Sequence, residues 1–112
     1  MSMEVVVRAE KNATVLDLHG RLDLGARWDF KAVMNQCLLT EEEHLIINLE
    51  GLSFIDSAGL GFLVLSYVQF TGMHRQMSWV QPRGHVKTML EELKISNMVP
   101  IFSDERQALA SR

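Results

Sequence analysis

Asp56 and Ser57 set a carboxylate beside a hydroxyl where one apolar run gives way to another, and no other pair in the chain offers as much chemistry. Ahead of them, His44-Leu45-Ile46-Ile47-Asn48-Leu49 has the length and β-branched content of a strand buried on both faces. Behind them, Leu60 to Phe70 is too long and too leucine-rich for a strand and predicts a helix. Ser and Asp suit such a junction because their side-chain oxygens accept hydrogen bonds from the unpaired amides of the first helical turn. A serine placed there can cap the helix, attack a substrate, or receive a phosphoryl group.

Attack is disfavoured. A nucleophile elbow has glycine two residues before its serine, and Ile55 stands there. No spacing brings His19, His44, His74 or His85 to Ser57 as a base. Gly59 and Gly61, with no lysine following, make neither a phosphate-binding loop nor a dinucleotide fingerprint. No paired His, Cys or carboxylate spacing suggests a metal. The expectation is a protein that is not an enzyme and holds no cofactor. Receiving a phosphoryl group fits better, since a phosphoserine carries about -1.5 to -2 charges and the amides and dipole at a helix start stabilise it. The fold would tolerate the change, while a partner packed beside Asp56 would meet a new dianion. On residue type alone an ordinary cap accounts equally well for Ser57, or for Asp56 in a shifted register. Asp23 reads as a solvated loop carboxylate.

Composition sets the frame. The 112 residues suit one domain spanning 1–112, and 47% hydrophobic with 22% charged residues is ordinary for a globular protein. A formal net charge of -3 without a Lys/Arg stripe argues against direct nucleic-acid binding. The single cysteine, Cys37, rules out an internal disulfide and fits a reducing cytoplasm. The N-terminal residues lack the basic region and apolar core of a signal peptide, and no apolar run is long enough for a membrane span, so a soluble protein is expected.

The elements that must position Ser57 follow from periodicity. Met3 to Ala9 and Thr14 to His19 predict an N-terminal hairpin around Glu10-Lys11-Asn12-Ala13, and Gly20 to Gly25 predicts a loop. Ala26, Phe30, Val33, Met34, Cys37 and Leu38 fall at helical spacing, with Cys37 in the core and Trp28 off the stripe, either filling a gap or standing out as a binding anchor. In the helix after Ser57 the expected buried stripe is Leu60, Val64, Tyr67 and Val68, with Phe62, Leu65 and Phe70 elsewhere around it and Gly72 as a left-handed cap. Gln76 to Val80 predicts a strand. Val86, Met89, Leu90 and Leu93 predict a helix, Ile101-Phe102 a last short strand, and Asp104 with Gln107 a capped terminal helix. The whole reads as an α/β domain with a mixed sheet of four to five strands, parallel in its later part, and about four helices.

Leu52-Ser53-Phe54-Ile55-Asp56-Ser57-Ala58-Gly59-Leu60-Gly61 resembles the signature of the STAS domain, in particular of bacterial anti-sigma factor antagonists. Gly20-Arg21-Leu22-Asp23, Val80-Gln81-Pro82 and Met89-Leu90-Glu91-Glu92-Leu93 extend that resemblance over nearly the whole chain. It implies partner switching. The unmodified antagonist binds an anti-sigma factor that is also a serine kinase with a GHKL-type ATPase fold, which frees the sigma factor; phosphorylation at the position of Ser57 ends binding, and a serine phosphatase restores it. The resemblance makes Ser57 the phospho-acceptor, Asp56 its neighbour on a docking surface with Ala58 and Gly59, and Asp23 a contact from the adjacent loop. Leu24-Gly25-Ala26-Arg27-Trp28 departs from the polar stretch of sporulation-type members, so Trp28 and Phe62 are expected to add partner-specific apolar contact. The alternative implied role is a scaffold or transporter-accessory subunit without a sigma factor; a small-ligand sensor is a third. A weak homodimer through the apolar helix after Ser57 is also compatible with the sequence.

Overall fold

A computed structural model describes residues 3–111; residues 1, 2 and 112 of the expected domain span lie outside the described residues. Five strands lie in one sheet in chain order: β1 (Met3–Glu10), β2 (Ala13–Leu22), β3 (His44–Ile55), β4 (Gln76–Val80) and β5 (Ile101–Phe102). The first pair is antiparallel, from Met3 opposite Gly20 to Glu10 opposite Ala13, and the later pairs are parallel. Asn12, at φ 67, takes the left-handed conformation that closes the hairpin. The helices are α1 (Arg27–Leu39), α2 (Ser57–Gly72), α3 (Gly84–Glu92) and α4 (Glu105–Ala110), with short 3₁₀ turns at Leu24–Ala26 and Ile95–Asn97. No described helix is long and apolar enough to cross a membrane.

The strands alternate their burial between two cores, as the pleat requires. Leu16, Leu18, Leu45, Ile47, Leu49, Met77 and Trp79 meet Phe30 and Met34 of α1, Leu60, Leu63 and Phe70 of α2, and Val86 and Leu90 of α3. On the opposite face Ala13, Val15, Ile46 and Val80 meet Ala108 and Leu109 of the short α4. α4 is held by its Asp104 cap, which accepts from the Gln107 amide at 2.9 Å as expected. It is held further by Arg8, whose guanidinium reaches both Asp17 (2.6 Å) and Glu105 (2.6 Å). Those hydrogen bonds, to Asp17 first, hold the Arg8 guanidinium above its ordinary value.

Two strands run further than expected. β2 continues through Gly20 and Arg21 to Leu22, the predicted loop, because register shifts absorb Gly20 at φ 95 within the ladder. β3 continues past Leu49 to Ile55, and Gly51 lets it pass His19, whose ring a Cβ would strike. The stripe of α2 is also rotated. Gly59, Leu60, Leu63, Ser66 and Phe70 are buried, while Val68 is 52% and Leu65 63% exposed. Hydropathy alone could not orient a helix apolar on several sides. Gly72 stays helical and His74, at φ 60, takes the left-handed place. Leu93 is exposed because α3 stops at Glu92.

Arg75 closes the bottom of the α1–α2 layer. Its guanidinium lies 4.5 Å from the Phe70 ring and donates to the carbonyls of Cys37 (3.0 Å), Leu38 (3.2 Å) and Glu42 (2.7 Å), pairing groups that the end of α1 leaves open. Arg75→Ala is therefore expected to lower stability by about 2–3 kcal/mol, and Arg75→Lys to recover only part of it, as read by denaturant unfolding.

Candidate functional site

The site forms where β2 and β3 end side by side, with Leu22 paired to Ile55. Beyond these strand ends the backbone leaves the sheet twice, at Asp23 into the 3₁₀ turn and at Asp56 into α2. Each aspartate sits at an N-cap position in extended backbone, φ -129 and φ -108. Asp56 Oδ1 accepts from the Gly59 amide at 2.7 Å, and Asp56 Oδ2 accepts from the Leu24 amide at 3.4 Å. One carboxylate therefore starts the helix and ties the neighbouring turn to it. The cap belongs to Asp56, so Ser57 falls at the first helical position and lies exposed.

Gly59 explains how the two exits sit so close. It is buried, and a Cβ there would overlap the Leu22 carbonyl oxygen. Gly61, half-exposed, has open space where its Cβ would stand. Asp23 is not the freely solvated carboxylate expected of it. Its Oδ2 accepts from Arg21 Nε at 3.4 Å, while Oδ1 is buried with no hydrogen-bond partner among the described residues, and a Cβ at Gly25 would stand 3.2 Å from that oxygen.

Beneath Asp56, Phe54 is held between Arg21, whose guanidinium carbon is 4.0 Å from the ring centroid, and His85, stacked at 5.3 Å. His85 Nε2 donates to the Ile55 carbonyl at 2.9 Å. The sequence gave no sign of this support, because His85 lies 30 residues away on α3 with no telling spacing.

The remaining expected residues surround the same end of the molecule. Trp28 is 67% exposed on α1, which excludes gap filling. Phe62 is half-buried and stacks on Phe30 at 6.4 Å, joining α2 to α1. Ala58 is half-buried in the first turn of α2. Leu24, 62% exposed, and Leu65 add apolar surface that sequence reasoning did not assign to the site. Cys37 is buried as expected, and burial pushes its thiol up, only partly offset by the nearby charge of Arg75.

Comparison with known proteins agrees with this arrangement. The STAS domain family matches residues 4–108. The anti-sigma F factor antagonist of Paenibacillus polymyxa is 23% identical over 110 residues, covering 97% of this chain and 94% of that protein. The crystal structure of an anti-sigma factor antagonist from Mycobacterium paratuberculosis superimposes with a TM-score of 0.88 at 19% identity, covering 98% of this chain and 93% of that one. The anti-sigma factor antagonist SpoIIAA superimposes in its unphosphorylated form with a TM-score of 0.75, at 18% identity and covering 95% of this chain and 93% of that one. Its phosphorylated form, that of a Bacillus cell fate determinant, gives 0.69 at 18% identity, covering 96% of each chain.

The two glycines of the first turn are expected to part company on mutation. Gly59→Ala forces the Leu22 carbonyl aside and lowers stability by roughly 2–3 kcal/mol, whereas Gly61→Ala gains about 0.5–1 kcal/mol, both read as shifts in thermal unfolding.

Proposed function

The chain belongs to the STAS domain family, and we propose that within it the protein is an anti-sigma factor antagonist switched by phosphorylation of Ser57. One observation carries the reading: Asp56 performs the capping, so the Ser57 hydroxyl is exposed at a helix start with no structural task assigned to it. The competing account of Ser57, an ordinary cap, thereby loses its support. The names of the similar proteins, anti-sigma factor antagonists among them, support the same reading.

In this mechanism the unmodified protein docks an anti-sigma factor of the serine-kinase type through the surface around Ser57. Asp23, Trp28, Asp56, Ser57, Ala58 and Phe62 face or frame the contact, while Gly59 acts from below by letting α2 approach β2. The partner supplies ATP, Mg²⁺ and the groups that position the γ-phosphoryl; the serine oxygen attacks it, ADP leaves, and the hydroxyl proton passes to the kinase's base. This chain contributes only the acceptor and the surface, and is not itself an enzyme. The amides and dipole at the start of the 16-residue α2 stabilise the new dianion internally. At the docking surface the same dianion stands beside Asp56 and must be stripped of water or repelled, so the complex falls apart. A serine phosphatase resets the switch, and the setting is cytoplasmic.

Incubation with the serine-kinase anti-sigma factor and ATP, followed by mass spectrometry, is expected to locate a phosphate on Ser57 and nowhere else. Ser57→Asp is expected to weaken the complex at least about tenfold, roughly 1.4 kcal/mol, with almost no change in melting temperature. A stable complex indifferent to Ser57→Asp would overturn the switch and favour a scaffold or transporter-accessory role.

A further inference from the structure

We propose that Arg27, Trp28 and Lys31 select the partner, and that the surface they select is a protein face with carboxylates around an apolar slot. The inference rests on the reading of the Ser57 surface as the docking face and names the chemistry of what docks there.

Trp28 stands in solvent between two cations. The guanidinium carbon of Arg27 is 5.0 Å from its ring centroid and the ammonium of Lys31 is 5.5 Å away. Arg27 and Lys31 are four residues apart and share one side of α1. The other flank of α1, with Val33, Gln36 and Cys37, faces a cavity shared with Val7 of β1. The two cations therefore lie on the side that turns toward α2, where Phe62 stacks on Phe30 and Leu65 is exposed. Asp29 is two residues from either cation, off their side of the helix.

The charges here are unspent. Arg8, Arg21 and Arg83 all hold carboxylates and Arg75 holds carbonyls, but neither Arg27 nor Lys31 makes an ion pair among the described residues. A partner covering Trp28 must cover these cations or pass beside them. An uncharged or basic surface would leave them desolvated without a counter-charge, at a cost; carboxylates placed around an apolar slot pair them while the slot takes the indole. The cation–π contacts already hold the indole and both long side chains together, so less freedom is lost on docking.

The same partner chemistry explains why a phosphate breaks the complex. Carboxylates drawn to Arg27 and Lys31 lie on a surface that also meets the start of α2, and the dianion on Ser57 repels them. A single feature of the partner then provides attraction in one state and repulsion in the other.

The test measures binding of the serine-kinase anti-sigma factor to the full chain at low and high salt, by stopped-flow and by tryptophan emission. The double variant Arg27→Glu with Lys31→Glu is expected to raise Kd at least roughly tenfold, mainly through slower association, and to flatten the salt dependence. Trp28→Phe is expected to remove the blue shift in emission that docking produces, since Trp79 is already fully buried in the free protein. All three positions are exposed, so melting temperatures should not move. If the wild-type chain binds the kinase and is released on phosphorylation, yet the double variant binds as tightly as wild type, this inference fails and the switch stands. If the wild-type chain neither binds nor is phosphorylated, both fail.

Discussion

The carboxylate of Asp56 is the point on which the molecule turns. Its two oxygens hold the Gly59 amide and the Leu24 amide, so the first turn of α2 and the turn leading to α1 are fixed by the same side chain. That geometry requires Gly59 to lie against the Leu22 carbonyl, which any Cβ would prevent. Through these contacts the ends of β2 and β3, the direction of α2 and the accessibility of Ser57 become one arrangement. A cap at Ser57 instead would have turned the helix by one residue, about 100°, and drawn the hydroxyl into the backbone.

This accounts for what the sequence could and could not disclose. The mixed sheet, the hairpin, the terminal capping box and the strand–turn–helix around Asp56 and Ser57 were legible, because each depends on local patterns of polarity and turn residues. The rotation of α2 was not: with apolar residues around most of its circumference, only the three-dimensional placement of Gly59 decides which stripe enters the core. The extension of β2 through Gly20 was hidden for a similar reason, since glycine marks a loop and a bulged strand alike. His85 and Arg21 were invisible as site supports because they converge on Phe54 from different elements. Trp28 was the reverse case, noticed for lying off its stripe but open in meaning until its exposure was known.

The cationic side chains divide by what they do. Arg75 is consumed by carbonyls at the end of α1, and Arg8 by Asp17 and Glu105 across the face that α4 covers. Each fastens elements distant in sequence and is partly sheltered, which is where charged hydrogen bonds contribute most to a fold. Both lie away from the Ser57 end, Arg75 where α1 and α2 finish and Arg8 on the outer hairpin strand. The fold is therefore fastened by groups that a visitor to Ser57 does not touch.

That separation is what a reversible surface switch requires. A site whose residues also carried the fold would convert every modification into a stability change, and a domain stable by only some 5–15 kcal/mol has little room for that. Here Asp56 and Gly59 meet the structural demand from beneath, leaving the serine oxygen beside them outside the fold's hydrogen-bond network. Leu24, Trp28 and Leu65, exposed although apolar, are tolerated for the complementary reason: nothing inside the domain needs them, so their cost in solvent is recovered only when another surface covers them.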